Sequence, residues 1–302
     1  MTRVLVVGEP LVELLEDPPG TIRRGFGGDA LNLAVSLKRE SPELDVLLAS
    51  AVGDGSDSEA LLALCLDEGI DVSLLGRVAG AELGRYRVTV DAAGERSFTY
   101  DRSTSPFRGA LDADDVLPDG SEVDVLCFSG IAMAVLHEAG RRTLLAYATA
   151  VRERGGTVVY DPNHRPALWA DEDGARTWTE RIVPTVDVLL ASTEDGRRLT
   201  DADAPSAIAD AFRAMGAREV VVTDGANPCV VSFEDFVLDV APFIARQVID
   251  TTAAGDAFDA GYLAARLRGG SPSASAAAGH AAAATVVGHR GALAPRPGTS
   301  GN

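Results

Sequence analysis

The sequence predicts an α/β protein with a central, mostly parallel sheet, helices on both faces of that sheet, and a small additional β-sheet. Three observations predict this fold. Short apolar runs typical of buried strands alternate along the chain with longer segments whose apolar residues recur at helical spacing. Glycine and polar residues follow the ends of several predicted strands. Two segments in the first third of the chain have the strand–turn–strand pattern of hairpins.

The elements follow in order from these patterns. A strand is predicted at residues 4–7, and residues 11–26 are predicted to form a hairpin around the turn signal Asp17-Pro18-Pro19-Gly20. A second hairpin is predicted at residues 84–100, and a helix is predicted to begin after Gly28. The remaining predicted strands lie at residues 46–51, 123–128, 157–160, 186–190 and 219–223. The remaining predicted helices lie at residues 56–68, 138–154, 173–182, 194–199, 205–215 and 257–268.

Length and composition bound the organisation of the chain. With 302 residues and 46% hydrophobic content, the chain can bury a sizeable core. We expect one domain over residues 1–302, with the small sheet built from residues 11–26 and 84–102 and a disordered tail at residues 295–302. No uncharged apolar run approaches the ~18 residues of a membrane helix, and the first residues resemble a strand, so we expect a cytoplasmic protein.

Charge and cysteine content exclude several classes of partner. The formal net charge of −18 argues against nucleic acid and anionic membranes as partners, because the field of the protein repels both. Lys38 is the single lysine, so nearly all basic residues are arginine. Either a salt-adapted cytoplasm or a GC-rich genome would explain this preference for arginine. Cys65, Cys127 and Cys229 lie far apart in apolar segments and are expected to be reduced core thiols, and the four histidines lack metal-ligand spacing.

The stretch from Val248 to Phe258 carries the strongest chemical signal. A small-residue turn, Ala253-Ala254-Gly255, precedes Asp256 at the start of a predicted helix. The first N–H groups of a helix have no partner within it and lie at the positive end of its dipole, so this turn can bind an anion such as phosphate. Asp256 has two interpretations, an acidic residue in the first turn that stabilises the helix or a general base that accepts a proton from an attacking hydroxyl.

Two distant motifs resemble the signatures of the ribokinase-like (PfkB) carbohydrate kinases. One is Asp250-Thr251-Thr252-Ala253-Ala254-Gly255-Asp256, and the other is Gly27-Gly28-Asp29-Ala30-Leu31-Asn32. The resemblance implies a ribokinase-like fold, with ATP and Mg²⁺ as cofactors and a small sheet that covers the sugar as a lid. It also implies an anion hole at Ala253, Ala254 and Gly255, Asp256 as catalytic base, and sugar contacts at Gly28 and Asn32.

Other residues resemble the 2-keto-3-deoxygluconate kinases within this family. The segments from Gly94 to Ser105 and from Asp161 to Trp169 carry this resemblance. It implies that the acid sugar contacts Tyr86, Tyr100, Arg102, Ile131 and Arg165. Planar guanidinium groups suit a carboxylate, although an arginine taken alone more often forms an ordinary salt bridge. Fructokinases share much of the second segment, so fructose is the alternative substrate.

The resemblance also implies residues for the nucleotide and the metal. Ser192, Thr223, Gly225, Thr252 and Gly255 are expected near ATP. Glu194 or Asp195 is expected to contact Mg²⁺ through water, and K⁺ is an additional candidate ion. The lid is expected to form a contact in a homo-oligomer. An alternative of a different class is a catalytically silent relative that senses a sugar or nucleotide, which an intact Gly255-Asp256 pair argues against.

Overall fold

A computed structural model of the chain describes residues 1–17, 20–90, 96–113 and 116–295. Its strands are β1 (Arg3–Val7), β2 (Leu11–Asp17), β3 (Thr21–Gly27), β4 (Asp45–Val52), β5 (Leu75–Arg77), β6 (Arg85–Val90), β7 (Arg96–Asp101), β8 (Val125–Ser129), β9 (Thr157–Asp161), β10 (Val188–Ser192), β11 (Glu219–Asp224), β12 (Asn227–Phe233) and β13 (Phe236–Val240). Its α-helices are α1 (Asp29–Glu40), α2 (Ser56–Asp67), α3 (Gly130–Val135), α4 (Glu138–Glu153), α5 (Glu172–Ile182), α6 (Thr193–Leu199), α7 (Pro205–Met215), α8 (Ala254–Leu267) and α9 (Pro272–Val286).

The large sheet has nine strands in the order β13-β12-β11-β10-β9-β8-β1-β4-β5. Seven neighbouring strands of this sheet, β11-β10-β9-β8-β1-β4-β5, pair in parallel. The other two pairings, β11 with β12 and β12 with β13, are antiparallel. Two clusters of buried apolar side chains cover the sheet, one containing Leu5 and Leu189 and the other containing Val4 and Val188. Because successive strand residues point to opposite faces, these clusters are the two sides of one core, as the predicted fold requires.

The small sheet has four strands in the order β3-β2-β6-β7. Both predicted hairpins are present as antiparallel pairs, β2 with β3 and β6 with β7, and a parallel pairing of β2 with β6 joins them. The predicted turn at residues 91–95 and part of the predicted turn at Asp17–Gly20 lie outside the described residues. So does nearly all of the predicted disordered tail, from residue 296 onward.

Some elements had no counterpart in the predictions. Strands β12 and β13 were missed; β13 forms the edge of the sheet, and its short apolar run, Phe236-Val237-Leu238, is exposed and not buried like the runs of the central strands. The Ala-rich helix α9 was also missed, because its small residues give it little contrast between an apolar and a polar face. Those small residues serve packing: a Cβ at Gly261 would lie 2.8 Å from the Ala278 carbonyl oxygen, so α8 and α9 approach closely.

The carboxyl ends of the parallel strands meet at one edge of the large sheet. Strands β8, β9, β10 and β11 end at Ser129, Asp161, Ser192 and Asp224, respectively. The polar residues that follow these strands therefore gather at one edge of the sheet, where open α/β sheets bind ligands. Among the described residues, no helix has the length and apolar character that would let it span a membrane. The three cysteines are unpaired and buried, as expected of core thiols.

Candidate active site

A cleft of about 690 Å³ lies between the carboxyl edge of the large sheet and the small sheet. The ends of β9, β10 and β11 and the first residues of α1 and α8 line one side of this cleft, and β6 and β7 line the other. Most of the predicted site residues line it: Gly28, Asn32, Tyr86, Tyr100, Arg102, Ile131, Arg165, Ser192, Glu194, Asp195, Thr223, Thr252, Ala253, Ala254, Gly255 and Asp256. Gly225 does not line it.

The first turn of α8 presents backbone N–H groups to the cleft. Within the part of the chain that the structure describes, the N–H groups of Ala253, Gly255 and Asp256 donate to no acceptor, whereas that of Ala254 donates to the Thr251 carbonyl oxygen at 3.2 Å. A Cβ at Gly255 would meet no atom within 4 Å, so the space in front of this residue is open. The arrangement fits an anion, since it combines unpaired donors with the positive end of a 14-residue helix.

Ala253 has an uncommon backbone conformation at this helix start. Its φ of 62° and ψ of 14° lie in the left-handed region, which costs a non-glycine residue roughly 1–2 kcal/mol. The neighbouring contacts hold this turn, because the Thr252 N–H donates to Asp250 Oδ1 at 2.9 Å and the Ala257 N–H donates to the Ala253 carbonyl oxygen at 2.9 Å. Strained backbone of this kind is common at functional sites.

Asp256 lies beside these N–H groups with its carboxylate held in place. The side-chain amide of Asn32 on α1 donates to Asp256 Oδ2 at 2.7 Å, and α1 and α8 pack against each other. Burial and the nearby charge of Asp29 raise the pKa of Asp256 to about 7, although the Asn32 hydrogen bond and Arg165 lower it. A carboxylate with a pKa near neutral can accept a proton and release it again, as a general base must.

Further carboxylates surround Asp256 that the predictions did not assign to the site. Asp29, Asp161 and Asp259 all line the cleft. Burial raises the pKa values of Asp161 and Asp259 well above their ordinary range, and the negative charges of Asp195 and Asp256 add to the effect at both. Their positions in the sequence could have indicated a place near the site. Asp29 lies in the Gly-Gly motif, Asp161 follows a predicted strand, and Asp259 is one helical turn beyond Asp256.

Gly28 has a conformation and a position that only glycine allows. Its φ is +106°, and a Cβ on this residue would lie 2.3 Å from the Glu9 carbonyl oxygen. The Gly28 carbonyl oxygen accepts the N–H of Asn32 at 2.8 Å in the first turn of α1. The Gly-Gly motif therefore lets the chain turn sharply enough to place Asn32 against Asp256.

Aromatic side chains form the wall of the cleft that belongs to the small sheet. The rings of Tyr86, Phe98 and Tyr100 lie within 6.4 Å of one another between centroids. Phe98 and Tyr100 are 42% and 49% exposed, which is high for aromatic residues and leaves their surfaces available to a ligand. The Tyr86 hydroxyl, in contrast, is buried and donates to Glu13 Oε1 at 2.7 Å.

The two predicted carboxylate-binding arginines have different surroundings. Arg102 is 9% exposed and pairs with the buried carboxylate of Glu9, with Nε 2.8 Å from Oε2 and a second contact from Nη2. Arg165 is exposed to the cleft, and its Nη1 donates to the His164 carbonyl oxygen at 3.0 Å. The guanidinium of Arg165 therefore remains more available to an anionic ligand than that of Arg102.

The predicted metal residues also differ from each other. Asp195 uses both carboxylate oxygens within the protein: Oδ2 accepts from Ser192 Oγ at 2.5 Å and Oδ1 accepts from the His164 N–H at 2.6 Å. Glu194 is exposed and faces the cleft. Among the residues that the structure describes, no cluster of three or more histidine, cysteine or acidic side chains could hold a metal by itself.

Comparisons with known proteins agree with this architecture. The pfkB family of carbohydrate kinases matches residues 1–298. A 2-dehydro-3-deoxygluconokinase from Dickeya dadantii is 36% identical over 97% of this chain and 96% of its own length. A fructokinase from Klebsiella pneumoniae is 29% identical over 89% of this chain and 86% of its own length.

A solved structure shows the same fold. The crystal structure of a PfkB protein from Polaromonas sp. JS666 has a TM-score of 0.84 and 27% sequence identity, over 95% of this chain and 96% of that one. Both the family match and the curated relative span nearly the whole chain. The chain therefore belongs to the pfkB family of carbohydrate kinases.

Proposed function

We propose that the protein is an ATP-dependent kinase that phosphorylates the terminal hydroxyl of 2-keto-3-deoxygluconate, also called 2-dehydro-3-deoxygluconate, to give the 6-phosphate. The observation that carries the proposal is the placement of Asp256 beside the unpaired N–H groups of α8, with a pKa raised to about 7. Transfer of a phosphoryl group to a hydroxyl requires a base and an anion site next to each other.

In the proposed reaction, the oxygen of the substrate hydroxyl bonds to the γ-phosphorus of ATP. Asp256 accepts the proton that this hydroxyl loses. The bond between that phosphorus and the bridging oxygen breaks, and ADP leaves. The N–H groups of Ala253 and Gly255 stabilise the charge on the transferred group, a contribution that in other enzymes is worth several kcal/mol for each donor. Asn32 keeps the Asp256 carboxylate oriented.

The cleft fits ATP and Mg²⁺ as the donor pair. Its open anion site suits a terminal phosphate, and Ser192, Thr223 and Thr252 line the same side. Mg²⁺, when bound with the nucleotide, neutralises charge on the phosphates. We assign Glu194 as the residue that holds the metal through water, because the oxygens of Asp195 are already engaged. Gly225 and a K⁺ site remain predictions.

The substrate assignment rests on Arg165 and on the curated relatives. An exposed guanidinium at the cleft suits the carboxylate of a sugar acid, and the 2-dehydro-3-deoxygluconokinase is more similar to this chain than the fructokinase. One observation favours fructose as a second candidate: Glu9 already neutralises Arg102, which leaves less positive charge for an anionic sugar.

An ADP-release assay tests the proposal, with 2-keto-3-deoxygluconate, fructose, ribose and adenosine offered separately. We expect preference for the keto-deoxy acid. Arg165→Ala should raise the KM for this substrate by roughly 30-fold or more, because a hydrogen bond to a charged group contributes about 2 kcal/mol. Its KM for fructose should change little. The control is Arg142→Ala, which removes an exposed arginine paired with Glu138 on α4.

Two outcomes would contradict the proposal. Preference for fructose in the wild type would assign the second candidate function. Binding of sugar and nucleotide without ADP release would instead support the silent sensor.

We also propose a cytoplasmic location, where ATP is available, and a homo-oligomer formed through the small sheet. Light scattering tests the oligomeric state.

A further inference from the structure

We infer that Glu13 is a positioning residue that links the sugar side of the cleft to the anion-binding turn. The inference rests on the proposed function for the identity of the two sides. Glu13 lies in β2, is 4% exposed and does not line the cleft. Its Oε1 accepts two hydrogen bonds, from the Tyr86 hydroxyl at 2.7 Å and from the Ala292 N–H at 3.2 Å.

The next link runs from the residue before Ala292 to the anion-binding turn. The Gly291 N–H donates to Asp250 Oδ2 at 2.8 Å, and the other oxygen of Asp250 accepts the Thr252 N–H at 2.9 Å. The neighbouring N–H groups of Gly291 and Ala292 thus donate to two different carboxylates, those of Asp250 and Glu13, respectively. We call residues 287–293, which contain them, the C-terminal strap. Four hydrogen bonds, with the backbone between Gly291 and Ala292 in the middle, thus connect Tyr86 to Thr252.

Close packing along this path leaves little room for independent movement. Gly291 has a φ of +88°, and a Cβ on it would lie 2.9 Å from Glu13 Oε2. A Cβ on Gly27 would lie 2.5 Å from the Tyr86 hydroxyl oxygen and 3.0 Å from the Cβ of Ala292. Because these groups are in contact, a displacement of Tyr86 requires a displacement of the strap as well.

The first residue of the strap, Val287, also binds the backbone that precedes the anion-binding turn. The N–H groups of Ile249 and Asp250 both donate to the Val287 carbonyl oxygen, at 2.7 Å and 3.1 Å. Together with the bond from the Gly291 N–H, three hydrogen bonds therefore connect the strap to the segment that precedes Thr251 and Thr252. Contact of a sugar with Tyr86 would consequently order the turn that binds the phosphoryl group.

Hydrogen exchange of the ligand-free protein tests this link directly. Glu13→Ala should speed exchange of the Thr252 and Gly291 amides by about tenfold, because local opening becomes easier. Neither amide donates to Glu13, so loss of a direct contact cannot explain the change. Glu13→Gln retains an acceptor oxygen in the same place and should stay within about twofold of the wild type.

A matched control separates this link from a general loss of stability. Tyr262→Phe removes another buried tyrosine hydroxyl that donates to a glutamate, Glu219 Oε1 at 2.5 Å. Glu219 begins β11, so this pair lies at the opposite end of the strand from the cleft. Exchange at Thr252 should not change in this variant. If Glu13→Ala does not fold, Tyr86→Phe, which removes a single hydroxyl, tests the same hydrogen bond.

Kinetics provide a second readout. Glu13→Ala should raise the KM for ATP and lower kcat by about tenfold, although Glu13 lies in the small sheet, and Glu13→Gln should restore both. Glu13→Ala combined with Tyr86→Phe should cost little more than Glu13→Ala alone, because residues in one network are not additive.

Unchanged exchange at Thr252 in Glu13→Ala would overturn the inference, as would fully additive kinetic effects. Failure of the proposed function is a different result, namely a wild type that releases no ADP. The exchange experiment uses no ligand, so its outcome stands whichever reaction the protein performs.

Discussion

The two sides of the cleft are built from different parts of the chain. On the α8 side, backbone N–H groups form the proposed anion site, and the carboxylate of Asp256 accepts a hydrogen bond from Asn32 beside them. On the small-sheet side, aromatic rings and a guanidinium group form the wall. Backbone groups are the same in every residue, whereas side chains can be replaced one at a time. We propose from this difference that the backbone groups of the α8 side set the type of reaction, whereas side chains on both sides of the cleft, Arg165 after β9 among them, select the sugar.

The largest expected effect comes from Asp256, the proposed general base on the α8 side. Asp256→Asn should lower kcat by about 10³-fold, because general bases typically contribute 10²–10⁴-fold, whereas ATP binding should persist. The ADP-release assay and calorimetric titration with ATP measure the two quantities. Asp210→Asn, at an exposed position on α7, is the matched control. Retained turnover in Asp256→Asn would remove the base from the account.

Arg102 tests whether the small-sheet side also contributes to stability. Arg102→Ala leaves Glu9 buried without its partner, and breaking such a pair typically costs about 3–5 kcal/mol. Chemical denaturation should therefore show a clear loss of stability. Arg85→Ala in the same small sheet removes an exposed pair with Glu82 and should cost only about 0–1 kcal/mol. Equal losses in the two variants would show that burial of the Glu9 pair has no special consequence.

Gly255 separates stability from activity on the α8 side. Gly255→Ala adds a Cβ into open space at the start of α8, so the fold should be unchanged or gain up to about 1 kcal/mol from the better helix former. The same methyl group occupies the space proposed for the phosphoryl group, so kcat should fall by about tenfold or more. Thermal denaturation and the ADP-release assay measure these effects. Full activity would place the phosphoryl group elsewhere.

Much of the α8 side follows from local sequence. The small-residue turn before Asp256 predicts a helix start with open N–H groups, and the Gly-Gly motif predicts the tight turn before α1. Hydrogen bonding at a helix start depends on neighbours within a few residues, which a sequence displays directly. The central strands of the large sheet were also predictable, because they are continuous apolar runs.

The electrostatic details could not be predicted because they depend on distant residues. The Glu9 carboxylate that pairs with Arg102 is 93 positions away in the chain, and Asn32 lies 224 positions from Asp256. Nothing local to Glu13 indicates its bond to the Ala292 N–H. Most helices and strands were accessible from periodicity, with β12, β13 and α9 as exceptions, whereas the pairing of charges required the packed fold. The roles assigned to the site residues remain predictions.

The pH dependence of kcat/KM tests the central claim that Asp256 is a base adapted by its surroundings. A protonated carboxyl cannot accept the hydroxyl proton, so kcat/KM should fall as the pH drops through about 7, the raised pKa of Asp256. Asp29→Asn removes a charge that raises this pKa, so the fall should move to lower pH. A profile that is flat between about pH 5 and pH 9, or one that Asp29→Asn leaves in place, would contradict the account.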